Sequence, residues 1–273
     1  RPTRSPPRLS LVTSPMLALP DAVVGWLRPY QIRGKGRLLD HLVPATGERD
    51  ASIFGFRTRL GISDLIQRGI YLGTYEPHET WIVRRVLRDG ATMIDVGANV
   101  GYFSLLASRL VGAAGRVLAV EPSPYAGPCL ERTVAANGIR NVTVRRVALG
   151  AEPGTASLYL PADRWHNHTP TMVEGAGDSV PVEIPVTRLD DLVDEVGWTG
   201  AIDLIKIDVE GYEPRVLRGA DRLLARTRAI LVEICGPWLG KADSSPATFA
   251  RQLGDQGFVP DPGLPERPDP LAD

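Results

Sequence analysis

Charged residues interrupt apolar runs at three places in this sequence: Asp95 in "MIDVGANVG", Glu121 at the end of "RVLAVE", and Lys206 with Asp208 in "DLIKIDVEG". Such groups carry a desolvation cost that pairing must offset, or that a chemical task explains. In a strand, Lys206 and Asp208 fall on the same side, with Asp208 at the strand end and Glu210 just beyond it. That arrangement suits the alignment of a nucleophile and removal of its proton. A structural ion pair is the plainer alternative. Against it, lysine occurs only at 35, 206 and 241 in a chain with 31 basic residues, so a lysine here is not what the arginine-rich background would choose. Lysine offers a compact ammonium of tunable pKa, which arginine does not. Asp208, Glu210 and Glu233 could also ligate a divalent cation, a reading not favoured because carboxylates at separate strand ends are common without metal. His166 and His168, on a long loop with Trp165, offer a further proton acceptor, His168 being the candidate retained.

The turn "DVGANVG" raises a second question, that of the ligand. Gly97 permits close backbone approach, and Gly101 lets a following helix pack tightly. The spacing of Gly97, Asn99 and Gly101 does not fit the G-x-G-x-x-G dinucleotide fingerprint, and the Asp95 carboxylate would repel a pyrophosphate. Glu121 lies 24 residues beyond Gly97, where an acidic residue can accept hydrogen bonds from a ribose diol. A cationic, phosphate-free adenosine compound satisfies both conditions, and S-adenosylmethionine is one. An ordinary strand-turn-helix with a capping asparagine is the competing explanation.

These residues need elements to hold them. Strands are expected at 92–96, 116–121, 142–148, 203–208 and 228–234, alternating with helices near 100–111, 124–137, 212–225 and 246–255. That alternation predicts an α/β fold with a mostly parallel, doubly wound sheet. "TASLYLP" and "SVPVEIPVTRL" read as an inserted hairpin around a long loop. Upstream, residues 21–49 are weakly helical, "SIFGFRTRL" alternates like a strand, and the stretch from Asp64 reads as a turn or loop flowing into a helix from Pro77 to about Leu87. The expected organisation is a flexible arm over 1–20, an N-terminal helical extension and cap over 21–90, a core over 91–260 and a proline-rich tail over 261–273.

Composition bounds the partners. A net charge of -1, with no basic block interleaved with aromatics, argues against nucleic acid. No apolar run approaches the roughly 20 residues of a membrane span. Two cysteines, both within apolar segments, point to a reducing compartment, the cytoplasm by expectation. The oligomeric state is left open.

"GTYEPHE", "MIDVGANVGYFS", "VEP", "NVTVRRVALG", "TRLDDL" and "DLIKIDVEGYE" occur in an order and spacing that resembles the FkbM-type methyltransferases, a branch of the Rossmann-like class I family, over residues 54 to about 260. The resemblance implies a seven-stranded sheet with a reversed final hairpin and S-adenosylmethionine as methyl donor. It also implies methylation of a hydroxyl on a small natural product or sugar. It puts Asp95, Gly97 and Asn99 around the methionine end, Glu121 on the ribose and Ala148 beside the adenine, with Gly101 and Ser104 also among the cofactor-binding residues. Tyr75 and Glu76 would close over the cofactor, although "TYEP" also reads as a plain helix-entry turn. The proline-rich C-terminus departs from the family pattern at the last strand. Two other functions fit the same residues less well: a nucleotide-cofactor oxidoreductase, and a non-catalytic cofactor-binding docking module.

Overall fold

The computed structural model describes residues 19–30, 34–161, 170–174, 179–234 and 245–261. Its centre is a five-stranded, wholly parallel sheet of β3 (Thr92–Val96), β4 (Arg116–Val120), β5 (Val142–Arg145), β9 (Leu204–Ile207) and β10 (Ile230–Val232). The strand order β10-β9-β3-β4-β5 reverses direction at β3, as in a doubly wound Rossmann-like fold. Strand period two divides the core. Ile94, Val96, Leu118, Val120, Ile205 and Ile207 face α7 (Leu189–Glu195), α8 (Glu213–Arg218), α9 (Asp221–Leu224) and Phe249 of α10 (Pro246–Asp255). Met93, Val117, Ala119 and Leu204 face α4 (Pro77–Val86), α5 (Tyr102–Val111) and Leu130 of α6 (Ala126–Ala136). Both faces are covered, which is why these strands read as near-continuous apolar runs.

Several local expectations are corrected. The single strand expected over 142–148 divides: β5 ends at Arg145, and β6 (Ala148–Leu149) leaves the main sheet to pair with β8 (Ser179–Thr187). β8 also pairs antiparallel with β7 (Gly154–Pro161), so the inserted hairpin builds its own three-stranded sheet. The helix expected over 212–225 is broken between α8 and α9, where the Gly219 carbonyl accepts from the Asp190 N–H instead of continuing the helix. Residues 246–261 form α10 and an irregular segment, so the reversed final hairpin does not occur among the described residues.

The N-terminal extension packs around its own cluster, which includes Val24, Leu39, Leu60, Ile62 and Tyr71. It comprises α1 (Asp21–Leu27), α2 (Lys35–Leu42), β1 (Glu48–Ile53), β2 (Phe56–Gly61) and α3 (Leu65–Leu72). The stretch expected as one strand is a hairpin, because Phe54 and Gly55 both take left-handed backbone (φ 52° and 87°) in a two-residue turn. Helix α3, expected as loop, starts at Asp64, whose side chain accepts from the Gln67 N–H, and ends at left-handed Gly73. The buried Lys35 ammonium ties the extension together by donating to the carbonyls of Arg28, Tyr30 and Gly73 at 3.1, 2.7 and 2.9 Å.

Candidate active site

The carboxyl ends of β3, β4 and β9 open on a cavity of about 260 Å³. Two backbone bonds set the turn after β3, with the Gly97 and Ala98 N–H groups donating to the Val120 carbonyl at 3.0 and 3.1 Å. Gly97 has φ 79°, and a Cβ there would collide with the Asp208 carbonyl oxygen, so only glycine lets β3 and the end of β9 come this close. Gly101, also left-handed, leaves room for the Leu130 side chain at the start of α5. Of four non-glycine residues with positive φ among the described residues, three line the cavity: Glu76 (39°), Asn99 (50°) and Glu210 (51°). Backbone strain that clusters in this way marks functional sites.

Tyr75, Glu76, Gly97, Asn99, Glu121, Ala148, Asp208 and Glu210 all line this cavity, as does Glu233. Asp95, Gly101, Ser104 and Lys206 lie behind the lining. Ser104 is fully buried and donates to Asp95 at 2.6 Å, so it reaches the site only through that carboxylate. Asp95, 1% exposed, pairs in register with Lys206; burial raises its pKa while Lys206 and the Ser104 hydroxyl oppose the rise. Trp26 and Tyr30, half or more exposed, pack against each other with their rings tilted by 52°, and neither lines the cavity. Residues 165, 166 and 168 fall outside the described residues, and so does the loop reading that rested on them.

Glu121 is held from two directions. Its Oε2 accepts from the Asn99 N–H and its Oε1 from the Ser123 N–H, both at 2.8 Å, so the carboxylate links the glycine turn to the loop after β4. Burial nevertheless pushes its pKa up to about 7, with Asp95 and Asp208 adding to the effect.

Lys206 donates to Asp208 at 2.9 Å, with side chains 3% and 15% exposed, and its ammonium stands 4.6 Å from the centre of the Phe103 ring. Burial alone would lower its pKa, but the carboxylates of Asp208, Asp95 and Glu76 outweigh burial and raise it. Burial also pushes Glu76 and Glu233 up to about 7. Glu76, Asp208 and Glu233 place oxygens within 4.8 Å of one another. The sequence grouped Glu210 with Asp208 and Glu233, whereas here Glu76 completes the triplet. The spacing would accommodate a hard cation, but the Lys206 ammonium already supplies positive charge at Asp208.

Two supporting residues escaped the sequence reading. Glu213, 1% exposed, accepts from the N–H groups of Gly211 and Val209 at 3.0 and 3.3 Å and so braces the loop carrying Asp208 and Glu210. Its signal was a second glutamate opening a helix just after "VEG". Thr171, on the strand segment paired with Tyr159, donates to the Glu210 carbonyl at 2.8 Å, joining the inserted sheet to that loop. No local pattern marks a contact between residues so far apart in the chain.

Residues 95–260, more than half of the chain, match the profile described as Methyltransferase FkbM domain. The chain belongs to the FkbM methyltransferase family. It is 29% identical over 202 residues to Methyltransferase 1 of Beauveria bassiana, an alignment covering 66% of this chain and 76% of that protein. It is 31% identical over 179 residues to 31-O-demethyl-FK506 methyltransferase FkbM of Streptomyces tacrolimicus, covering 54% and 66%. Among solved structures, fibrillarin of Aeropyrum pernix with bound S-adenosyl-L-methionine aligns over 80% of this chain and 76% of its own, at 14% identity and a TM-score of 0.41. The strand order, rather than that score, carries the fold assignment.

As an FkbM family member, the chain is an S-adenosylmethionine-dependent methyltransferase. The cavity chemistry fits this donor. Carboxylates at 76, 121, 208, 210 and 233 line it and Asp95 lies just behind, with Lys206 as their buried counter-charge, an excess suited to an ammonium and a sulfonium. Gly97 permits backbone approach, and Ala148, Leu149 and Leu158 add apolar lining. No helix among the described residues is long and apolar enough to cross a membrane.

Proposed function

We propose that this FkbM-family methyltransferase is an O-methyltransferase that modifies a hydroxyl on a small natural product or sugar. The observation that carries the reading is the carboxylate triplet of Glu76, Asp208 and Glu233, with oxygens within 4.8 Å of one another on the cavity wall beside the turn where the donor would bind, and with Glu76 and Glu233 raised by burial to about 7. A hydroxyl acceptor must lose a proton, and a group titrating near the working pH suits that task. The name of the Streptomyces tacrolimicus relative, which specifies an oxygen position, supports the same chemistry.

When bound, S-adenosylmethionine supplies a methyl carbon activated by its sulfonium. The chain's own part is then to hold and align. In this reading Glu121 accepts from the ribose hydroxyls, Gly97 and Asn99 carry the methionine end and Ala148 flanks the adenine, a reading supported by all four lining the cavity. Asp208, fixed by Lys206, provides a steady negative field beside the reacting centre. Room for a bulky acceptor exists in a groove of about 1150 Å³ that meets the donor cavity at Ile66, Asn99, Ala126 and Pro170. Its walls mix Arg57, Thr58, Asp64 and Gln67 with Leu65, Tyr125 and Leu160, as a polyhydroxylated, partly apolar molecule would require.

The test incubates the protein with isotopically methyl-labelled S-adenosylmethionine and a panel of hydroxylated macrolides, polyketides and sugars. Label recovered in a methyl ether supports the proposal. Transfer only to nitrogen, carbon or sulfur acceptors would refute it.

A further inference from the structure

The donor-binding reading treats Glu76 as part of a lid, but the geometry points to a different task. We infer that Glu76 is the proton acceptor of the transfer step, with Asp208 held by Lys206 as a fixed charge beside it. The inference rests on the proposed hydroxyl acceptor.

Glu76 is the N-cap of α4, a position where a carboxylate ordinarily accepts from N–H groups of the first helical turn. Its side chain makes no such bond. The residue instead takes left-handed backbone at φ 39°, with its carbonyl accepting from the Thr80 N–H and hydroxyl at 3.0 and 2.7 Å. Pro77 fixes the next position, and Tyr75 packs against Tyr102 at 5.2 Å between ring centres. Every local device thus holds the turn in a strained shape that sends the carboxylate to the cavity. There, Oε2 is enclosed and has no hydrogen-bond partner. Asp208 is the weaker candidate because the ammonium of Lys206 occupies one of its oxygens. Glu233 is more exposed to solvent.

Several charged and titratable groups face Glu76. From its own segment these are Tyr75 and Glu79, from the end of β9 Lys206 and Asp208, from the end of β10 Glu233, and across α5 the Tyr102 hydroxyl. Burial raises the Glu76 pKa to about 7, with Lys206 and the Tyr75 hydroxyl working against the rise and Asp208 and Glu79 with it. In the step itself, the acceptor oxygen forms its bond to the methyl carbon as the carbon–sulfur bond breaks and leaves its electron pair on sulfur. The hydroxyl proton passes to the Glu76 carboxylate. Sulfonium charge and carboxylate charge disappear together, leaving a methyl ether, a neutral thioether and a carboxylic acid.

The experiment compares the wild type with Glu76→Gln, which keeps shape and removes basicity, and Glu76→Asp, which keeps a carboxylate. With a hydroxylated acceptor from the panel above, Glu76→Gln is expected to lower kcat by roughly 10²- to 10⁴-fold. Its Kd for S-adenosylmethionine should weaken by less than about tenfold, since Glu76 is one of several carboxylates facing the donor, and Glu76→Asp should recover part of the rate. The rise of wild-type kcat/KM with pH through about 7 should vanish in Glu76→Gln. Infrared difference spectra, which need no turnover, should show a protonated-carboxyl band titrating in the same range and missing from Glu76→Gln.

A kcat unchanged in Glu76→Gln overturns the inference. So does a tenfold weaker donor affinity with kcat retained, which makes Glu76 a cofactor clamp, or wild-type activity abolished by a chelator and restored by Mg²⁺. If the wild type binds the donor yet methylates no hydroxyl, the acceptor reading fails and this inference falls with it. A kinetic or spectroscopic failure on a proven hydroxyl acceptor instead removes Glu76 alone.

Discussion

Replacing Glu121 with glutamine tests the donor site with little change of shape. The carboxylate accepts two backbone N–H bonds at 2.8 Å while lining the cavity. Glutamine keeps one acceptor oxygen but turns an amide NH₂ toward the other donor, so either the Asn99 or the Ser123 N–H faces another donor. Hydrogen bonds to charged groups contribute about 1.5–3 kcal/mol each, so losing one to the ribose should weaken S-adenosylmethionine binding roughly 10- to 150-fold. The unpaired N–H should also destabilise the free protein by about 1–3 kcal/mol, lowering Tm by a few degrees in a chain of this size. Titration calorimetry reads the affinity and differential scanning calorimetry the stability. The two numbers must move together, because one side chain serves both the turn and the ligand. An affinity within about threefold of wild type, a change under roughly 1 kcal/mol, refutes the ribose assignment. A large affinity loss with no change in Tm refutes the bracing role of Glu121.

The remaining predictions follow from the same cavity. Lys206→Met should destabilise the fold by about 3–5 kcal/mol in urea unfolding, because it leaves Asp208 and Asp95 without their buried counter-charge. Gly97→Ala should cost at least roughly 1–2 kcal/mol for its left-handed backbone, and more for the collision with the Asp208 carbonyl; calorimetry should find donor binding lost while circular dichroism stays near wild type. Glu76, Glu121 and Glu233 have pKa values raised to about 7, so each is partly protonated near neutrality in the free protein. A cationic donor favours their charged forms and lowers those pKa values, so binding should release protons and weaken as pH falls below about 7. Calorimetry in buffers of different ionisation enthalpy measures that release, and a heat independent of buffer at pH 7 would contradict it.

Much of this was legible because buried parallel strands leave plain traces. Apolar runs broken by charge at 95, 121, 206 and 208 located three strand ends, and those ends converge. The hairpin of β1 and β2 was hidden because its turn is Phe-Gly, not the Asn-Gly or Asp-Gly that announces left-handed backbone. Helix α3 carried readable signals in Asp64 and Gly73, obscured by the turn-rich segment after it. The departure of β6 from the main sheet depends on pairing with β8, more than thirty residues downstream, and local periodicity cannot register a choice of partner. Glu76 read equally as a residue closing over the cofactor and as a plain helix entry for the same reason. Only the assembled fold shows that its side chain forgoes the cap.

The three carbonyls gathered by Lys35 extend its hold toward the donor cavity. That ammonium grips Gly73, three residues before Glu76, from a segment lying wholly upstream of the stretch shared with the family. One wall of the cavity is therefore anchored by a segment that lies outside the family match. Any change that loosens the lysine clasp should be felt at Glu76, on the lining of the donor cavity.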